Sequence, residues 1–524
     1  MLKINNIIPV ILLIFFLIFT RFVDLSWGYP YFFHPDERNI AVSLEQLSCD
    51  SISNLKSCLN PKFFAYGQFF IYLGYIFSFT QKTLSFFDVA LILRSISAVF
   101  SVFTVLAGLL IVRELIGNRI RIYQNKIILI ATALVLIFSP SQIQFAHFGT
   151  TESILAFFYT ALIYISILFI RNKIQSINYL IGSSALLGLA VATKVSSMIF
   201  LIIPFITLFF TEKIDIKKKI LYLIHISFFT IVLAIFFSPH YLISSKEFLS
   251  SLSYESSVAL GRVKVFYTRQ FEMTIPIIFQ FQKIFPYALG IPALIFFILS
   301  ILYLPRTKEN KFLILSFLAY FIPTAFIYTK WTRFMAPVMP LMIIIVLLFL
   351  VHLFFVKTRN KLFGLIFFCI TVLAISTPGA YFTQIYLNGD TRIKASEWIV
   401  NNIPSESVIL SETANVVDIP VGNRKGNNYE VVSFNLYDID EDELLYNNLL
   451  EEIERANYIL VPSRRIFANH DKNKYSKLVN YYDDLFNNRL GFEKVAEFKI
   501  LDDEMAEETF SVFDHPVVRI YKRI

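Results

Sequence analysis

Long apolar segments recur along most of this 524-residue chain, and short polar stretches separate them. A helix needs about 20 apolar residues to cross the hydrocarbon core of a bilayer, so segments of this length predict membrane-spanning helices. No small-residue cleavage site follows the first segment, which we therefore interpret as a retained helix rather than a signal peptide. The pattern predicts about eleven spans, at 7–23, 91–112, 127–145, 153–170, 178–193, 197–210, 220–238, 286–304, 312–328, 334–356 and 362–377.

The segment 63–79, "FFAYGQFFIYLGYIFSF", is apolar but differs from the others in being rich in aromatic residues. Gly67, Gln68 and Gly74 interrupt it. We predict a helix in the membrane interface rather than a span, because this keeps the charges of the later loops on consistent sides.

The pattern changes near Gln384, where the chain becomes polar. "KASEWIVNNIPSESVILS" predicts a helix and then a strand, "LLYNNLLEEIERANYILVPS" repeats that order, and "VVRIYKR" predicts a closing strand. The chain is thus divided into a polytopic α-helical membrane module, residues 1–383, and a small soluble α/β domain, residues 384–524.

Composition supports the membrane assignment, with 56% hydrophobic residues and 57 Phe. Of the 47 Lys and Arg, 16 lie in residues 384–524 together with 25 of the 39 Asp and Glu, which leaves 31 basic and 14 acidic residues in the membrane module. The net charge of +8 therefore belongs to membrane loops, and it argues for topology rather than for binding to nucleic acid.

The loop charges predict an orientation. Every second loop is short and rich in Lys or Arg, as the positive-inside rule expects of cytoplasmic loops: "RELIGNRIRIYQNK", "RNK", "TEKIDIKKK", "PRTKENK" and "KTRNK". The N-terminus is then cytoplasmic. The other face of the cell membrane, where ATP and nucleotide sugars are scarce, receives residues 24–90, 146–152, 239–285, 329–333 and the α/β domain.

Cys49 and Cys58 lie nine positions apart in the first of these outer loops, and Cys369 lies in a predicted span. The outer face is oxidising, so a disulfide between Cys49 and Cys58 and two free thiols both remain open.

The same loop contains two adjacent carboxylates in "FFHPDERNIA", Asp36 and Glu37. One interpretation is a helix N-terminus, with Pro35 in the first turn and acidic residues favoured by the helix dipole. The other is a site in which one carboxylate acts as a general base while its neighbour orients it or binds a metal.

The second outer loop, "QFAHFGTTESILAFF", contains His147 and Glu152. Thr151 and Glu152 are equally well explained as the cap of the fourth span and as functional groups at the membrane surface.

Six cations lie on the predicted outer side, where the positive-inside rule expects few. Some would form ion pairs or extend towards the aqueous surface, and together they form a candidate pocket for a lipid phosphate or pyrophosphate. They are Lys194, Arg262, Lys264, Arg269, Lys330 and Arg333.

Three histidines on the same side, His34, His147 and His240, raise the alternative of a divalent metal site. Their spacing resembles no zinc pattern, and metal dependence stays open. The chain contains no P-loop, no dinucleotide-binding motif and no nucleophilic triad pattern. The chemistry that remains is acid–base catalysis combined with stabilisation by cations.

Several segments resemble the GT-C membrane glycosyltransferases, in particular the dolichyl-phosphate-mannose protein mannosyltransferase-like group that includes the lipid A aminoarabinose transferases. The acidic pair after the first span is the most specific of them. The others occur in the family's order: "NPKFFAYGQFFIYL", "LRSISAVFSVFTVLAGLLIVREL", "GLAVATKVSSMIFLIIP", "TRFMAPVMPLM" and "ASEWIVNNIPSESVIL", while "ANYILVPSRR" and "EETFSVFDHPVVRIYKR" resemble a bacterial and archaeal subgroup.

The resemblance implies a GT-C fold and transfer of a sugar from a polyprenyl-phosphate donor to a hydroxyl of a glycan, lipid or protein on the outer face. Asp36 matches the family's base for a single inverting displacement, and Glu37 completes the pair. Glu152 occupies a position that is often Asp, so its longer side chain leaves its role open. Two alternatives are a protein O-mannosyltransferase proper and a lipid or polysaccharide transporter without transferase activity, although the sequence shows neither clear internal repeats nor mid-helix charges.

Overall fold

A computed structural model of the chain describes residues 7–49, 54–79, 85–116, 122–413, 418–421 and 427–524. The first predicted basic loop, 113–126, therefore lies partly outside the described residues. The first half of the described chain contains the helices α1 (Ile7–Phe22), α2 (Pro35–Glu45), α3 (Phe69–Ser78), α4 (Phe86–Ile116), α5 (Ile122–Ile137), α6 (Pro140–Ala146), α7 (Glu152–Ile170), α8 (Ser176–Thr193), α9 (Ile202–Phe209), α10 (Ile216–Phe237), α11 (His240–Ile243) and α12 (Ser245–Ala259).

The second half continues with α13 (Phe285–Ala288), α14 (Ile291–Tyr303), α15 (Lys308–Ala325), α16 (Met339–Val351), α17 (Lys361–Phe382), α18 (Gln384–Asn388), α19 (Thr391–Asn402), α20 (Glu443–Arg455), α21 (Ser476–Phe486) and α22 (Glu508–Ser511). Short 3₁₀ segments cover Val195–Leu201, Phe266–Phe271 and Thr332–Val338, and π-helical turns cover Gln280–Ile284 and His352–Lys357. The strands are β1 (Val408–Glu412), β2 (Glu430–Phe434), β3 (Tyr458–Val461), β4 (Phe492–Phe498) and β5 (Val518–Arg523).

All eleven predicted windows coincide with a helix or with consecutive helical segments. Within the described residues, six helices are long and apolar enough to cross a membrane, or eight if two bent pairs each count as one span. The mainly helical membrane architecture is confirmed, whereas the number of eleven spans stays a prediction. The segment predicted to lie in the interface forms α3, whose ten residues extend about 15 Å, half the thickness of a bilayer core.

The centre of the helical part is α16, in which every residue is buried. A helix that is apolar all round is typical of the middle of a bundle. It packs against α4, α5, α7, α14 and α15, whereas α10 lies at the periphery and exposes Ile224, Phe228 and Phe236.

The bends in the two broken spans have local causes. Pro140 begins α6, 56° from the axis of α5, since proline lacks the N–H that would continue the preceding helix. Gly290, with a φ of +87°, separates α13 and α14, whose axes differ by 119°. Only glycine adopts such a backbone without strain.

The C-terminal α/β part contains a five-stranded sheet in the order β2-β1-β3-β5-β4, which confirms a small sheet after the membrane helices. β1 is parallel to β2 and β3, and β5 is antiparallel to β3 and β4. The helix α19 packs on one face, while α20 and α21 pack on the other. The sequence pattern predicted β1, β3, β5, α19 and α20 but not β2, β4 or α21.

One segment of the tail, residues 501–515, leaves this sheet and packs into the helical part. Phe510, Val512 and Phe513 belong to the hydrophobic core of the membrane helices. Asp514 accepts hydrogen bonds from the Tyr386 hydroxyl at 2.8 Å and from the Gln144 amide at 3.2 Å. The α/β part is therefore anchored to the helices by buried contacts rather than tethered by a linker.

His515 completes this anchor. Its Nδ1 lies 2.5 Å from Asp514 and its Nε2 lies 2.7 Å from Asp503, all three being buried. Burial alone would favour the neutral ring, but the two carboxylates outweigh it and raise the pKa of His515 to about 10. The ring is therefore charged at neutral pH and offsets part of the negative charge of the two acids.

We predict that His515→Gln lowers the stability of the protein by about 3–5 kcal/mol, because it leaves two carboxylates buried without a cation. A raised pKa stabilises the fold fully below the ordinary value of 6.5, and that contribution is lost as pH rises through about 10. The difference in Tm between wild type and variant, followed by tryptophan fluorescence in detergent, should therefore be large at pH 6 and shrink towards pH 10. His225→Gln, at an exposed histidine, is the control. A pH-independent difference would contradict the charged ring.

Candidate functional site

The acidic pair lies in the first turn of α2. Pro35 is the first helical residue, and the imidazole of His34 accepts the N–H of Glu37 at 3.4 Å as the N-cap. The helix-terminus interpretation is thus correct for the local geometry. Successive helical residues point in different directions, however, so the two carboxylates meet different surroundings.

Glu37 points into the protein and is fully buried. The guanidinium of Arg94, on α4, donates to both carboxylate oxygens at 2.6 and 2.9 Å, and the N–H of Gly149 donates to Oε2 at 2.7 Å. Arg94 also donates to the carbonyl oxygens of Leu25 and Trp27. Every charge in this group is paired, so Glu37 positions α2 rather than facing a substrate.

Gly149 is required for this approach. A Cβ at this position would lie 2.9 Å from the Cβ of Leu93 and 3.1 Å from Oε2 of Glu37. Both distances are shorter than ordinary contacts, so any larger residue would displace the second outer loop from the carboxylate.

Asp36 points the other way, into a partly exposed cluster. Arg333, in the 3₁₀ segment Thr332–Val338, forms an ion pair with it, and the hydroxyl of Tyr66 donates a hydrogen bond to it. Burial raises the pKa of the Asp36 carboxyl, but the charge of Arg333, with smaller contributions from His34, Lys194 and the Tyr66 hydrogen bond, outweighs burial and holds it below its ordinary value. Asp36 is therefore ionised at neutral pH.

A second pair completes the cluster. Lys194, between α8 and the 3₁₀ segment that follows, lies 3.8 Å from Glu152 in the first turn of α7. Its ammonium group also lies 4.9 Å from the ring of Tyr66 and 5.8 Å from that of Phe334. Burial lowers the pKa of Lys194 and Glu152 opposes this effect. The cap interpretation of Thr151 is not supported, because its side chain makes no capping hydrogen bond.

Gly67 brings Tyr66 to this cluster. Its N–H donates to the carbonyl oxygen of Thr193 at 2.9 Å, and a Cβ there would lie 2.0 Å from the carbonyl oxygen of Ala192. The segment before α3 can thus pass directly over the end of α8, which places Tyr66 beside Lys194.

The other predicted cations lie elsewhere. Arg269 pairs with Asp438 at 3.2 Å and with Glu441 at 3.6 Å, so it joins the outer loop to the α/β part. Lys264 pairs with Glu272, and Arg262 is exposed. Lys330 is buried and donates to the carbonyl oxygen of Tyr328. Of the six cations, the structure brings Lys194 and Arg333 to Asp36.

The three histidines all make other contacts. His34 caps α2 and lies 4.5 Å from the rings of Phe148 and Phe513, and burial lowers its pKa. Both ring nitrogens of His147 lie 2.8 Å from carbonyl oxygens, and its ring stacks on Tyr386. His240 contacts the carbonyl oxygen of Cys58 at 3.0 Å, in the loop closed by a Cys49–Cys58 disulfide. They hold the outer loops together.

The residues of the Asp36 cluster, as the structure describes them, do not fit a metal ion. Among the described residues, no group of three or more His, Cys, Asp or Glu is placed to hold one. Divalent cations prefer several oxygen ligands, whereas the Asp36 carboxylate already meets a guanidinium and a phenol hydroxyl. The positive charges of Arg333 and Lys194 would repel a cation, but they suit a phosphate.

Four residues of this region were not predicted from the sequence. Arg94 is the second residue of a segment quoted for its resemblance, yet only the fold pairs it with Glu37. Tyr66 and Gly149 also lie in quoted segments, without a local signal of their role. Glu255, on α12, interacts electrostatically with Asp36, Arg333 and Lys194. It belongs to the predicted loop 239–285, in which the sequence pattern indicated only the cations and His240 as candidates.

Solved structures with the same architecture include two membrane transferases. Archaeal oligosaccharyltransferase AglB from Archaeoglobus fulgidus, in complex with an inhibitory peptide and a dolichol-phosphate, matches with a TM-score of 0.53 and 14% identity over 87% of this chain and 69% of that chain. ArnT from Cupriavidus metallidurans, bound to undecaprenyl phosphate, matches with a TM-score of 0.51 and 11% identity over 98% of this chain and 97% of that chain.

Both are glycosyltransferases of the GT-C fold, so the predicted resemblance is confirmed at the level of the fold. No family model matches the chain, and no curated protein matches its sequence. At such low identities, the role of each side chain has to be argued from the geometry of this chain.

We predict that Arg94→Met destabilises the protein by about 3–5 kcal/mol, because it leaves the buried Glu37 carboxylate without its cation. Adding Glu37→Gln should restore part of the loss in Tm, since the amide needs no counter-charge. Arg113→Met, at an exposed arginine on the same helix, is the matched control. Equal losses for Arg94→Met and Arg113→Met, or no recovery in the double variant, would contradict the positioning role.

Proposed function

We propose that this chain is an integral membrane glycosyltransferase that transfers a sugar from a polyprenyl-phosphate donor to an acceptor hydroxyl. The observation that carries the proposal is the cluster of Asp36 with Arg333, Lys194, Glu152 and Tyr66 at one end of the bundle. It combines an ionised carboxylate with cations suited to a phosphate. The fold supports it, since two neighbours of the same fold bind a polyprenyl phosphate.

In the proposed reaction, the acceptor oxygen attacks the anomeric carbon of the donor while its proton passes to Asp36. The bond between the anomeric carbon and the phosphate oxygen breaks, and the polyprenyl phosphate leaves with the electron pair. Attack opposite the leaving group inverts the configuration. Because a phosphate leaves without being protonated, one base is sufficient, in contrast to the two carboxylates of a glycosidase.

Arg333 and Lys194 have the role of stabilising the phosphate. Negative charge on the phosphate increases as the glycosidic bond breaks, so cations placed beside it lower the energy of the transition state more than that of the bound donor. Without donor, Asp36 and Glu152 balance these cations. We propose that the bound phosphate takes over part of this pairing and leaves Asp36 available to the acceptor.

The proposed location is the extracytoplasmic face of the plasma membrane, with the N-terminus in the cytoplasm. The loop charges support this orientation. The acceptor is a glycan, a lipid or a protein, and the donor carries a hexose or a pentose. The one-sided cluster favours a transferase over a transporter, whose charges would line a path across the bilayer. Because the cluster does not fit a cation, we expect turnover without an added metal.

We predict that Asp36→Asn lowers the transfer rate by at least about 100-fold, the usual contribution of a general base. Mass spectrometry of glycoconjugates from cells lacking the chain would first identify the missing product, and membranes carrying each variant would then be assayed for its formation. Asp24→Asn, at an exposed aspartate of the same loop, should keep the wild-type rate. Turnover by a folded Asp36→Asn protein at the wild-type rate would remove Asp36 as the base.

We also predict that Arg333→Gln changes the pH profile as well as lowering the rate by about 100-fold. Arg333 holds the pKa of Asp36 below its ordinary value, so in wild type the base stays ionised at neutral and mildly acidic pH. Without Arg333, burial raises that pKa, and activity should fall on the acid side at a higher pH than in wild type. Arg262→Gln, an exposed arginine outside the cluster, should leave the rate and profile unchanged. An unshifted acid limb in Arg333→Gln would exclude this role.

A further inference from the structure

A cleft of about 310 Å³ lies where the tail meets the helical part. The loop 270–279 and the π-helical turn Gln280–Ile284 form one wall, and residues 464–469 and 506–507 form the other. Asp36, Lys194 and Arg333 do not line it. The cleft is therefore separate from the Asp36 cluster.

Arg464 is the unusual residue of this cleft. Its side chain lines the cleft and is buried, with only 7% exposed, yet its Nε and Nη1 have no hydrogen-bond partner within the described part of the chain. Buried guanidinium groups are normally paired, because taking an unpaired charge out of water is costly. An arrangement of this kind is expected where the partner is a ligand.

Four carboxylates act electrostatically on Arg464, but each of them is hydrogen-bonded or ion-paired to another residue; they are Glu508, Glu507, Glu504 and Asp503. Glu507, which also lines the cleft, accepts hydrogen bonds from Thr332, Thr509 and Gln270. Glu508 pairs with Arg465 at 3.1 Å and accepts from the Asn469 amide. Asp503 and Glu504 likewise pair with His515 and Arg519.

A second cation stands at the same cleft. Lys283 lines it and is close enough to Arg464 for the two charges to interact. Among the residues that line the cleft, Arg464 and Lys283 stand against Glu507, which is one more positive than negative charge; Glu508, Glu504 and Asp503 act on Arg464 without lining the cleft. Two cations that face one cavity suit a phosphate, whose oxygens accept several charge-assisted hydrogen bonds.

The rim of the cleft is apolar and exposed. Met273, Ile275 and Ile278 are 90%, 61% and 46% exposed, and all three line the cleft. The adjoining segment Gln280–Ala288 belongs to a bent pair that is long and apolar enough to span a membrane. Apolar side chains around a cationic cleft, next to a segment that can enter the membrane, are typical of a surface that contacts lipid tails and headgroups.

We propose that this cleft binds the phosphate headgroup of a membrane lipid, with Arg464 donating hydrogen bonds from within and Lys283 adding charge at the rim. Met273, Ile275 and Ile278 would contact the first carbons of the acyl chains. This proposal does not rest on the proposed transfer reaction, because lipid binding at the cleft can be measured without any turnover.

The test uses the full chain in detergent, with dioleoyl phosphatidic acid and dioleoyl phosphatidylcholine as probes and native mass spectrometry as the readout. We expect phosphatidic acid to bind more tightly than phosphatidylcholine. Arg464→Met should weaken the binding of phosphatidic acid by at least about tenfold, because a charge-assisted contact is lost. Lys283→Gln should weaken it less. Arg489→Gln, at an exposed arginine of the α/β part, is the matched control and should bind as wild type.

A structural role for Arg464 predicts a different result. If the guanidinium served the fold, Arg464→Met would lower Tm in the absence of lipid, whereas a residue kept for a ligand should leave that Tm unchanged or raised. A lowered Tm, or equal binding by the Arg464→Met and Arg489→Gln variants, would overturn the proposal. If inorganic phosphate at the same concentration as the lipid displaced it, the proposal of a lipid headgroup would be overturned, and the cleft would be a site for free phosphate. Phosphatidic acid that still binds to Arg464→Met with wild-type affinity would be held at the Asp36 cluster instead, which would also overturn the proposal.

Discussion

The buried ion pair between Glu37 and Arg94 is the constraint on which the arrangement of the Asp36 cluster depends. It holds the segment that contains Glu37 against α4. The N–H of Gly149, in the segment before α7, donates a hydrogen bond to the same carboxylate. All of its partners are buried, so the segments have to meet together or leave a charge unpaired in a medium of low dielectric. By using one carboxylate of the acidic pair for the fold, the protein holds the other in a defined direction.

That direction brings Asp36 to groups from four other parts of the chain. Tyr66 comes from the segment before α3, Glu152 from α7, Lys194 from the end of α8 and Arg333 from the 3₁₀ segment before α16. Acidic and basic groups alternate in this cluster. A phosphate that enters it can take over from a carboxylate as the partner of a cation, and the displaced carboxylate is then available to accept a proton, as the proposed transfer requires.

The α/β part contributes to the same face rather than lying apart from it. Glu507 accepts the N–H and hydroxyl of Thr332, the residue before Arg333, and thereby connects residues 501–515 to the cluster. Glu507 also lines the cleft that contains Arg464. The buried contacts of Asp514 with Tyr386 and His515 thus fix the position of the small sheet relative to the helices that carry the cluster.

The sequence by itself determined the apolar helices and the polar tail with three strands of its sheet, and it predicted that charges gather on one side, because hydrophobic period and loop charge are local properties. It also singled out Asp36, Lys194 and Arg333. It could not assign partners to these residues. Arg333 lies 297 positions from Asp36, and Arg94 lies 57 positions from Glu37. No local sequence feature distinguishes these two arginines from Arg269, which the fold pairs with the α/β part. Only the tertiary structure decided that adjacent carboxylates serve different purposes, since burial and pairing depend on which helices pack together.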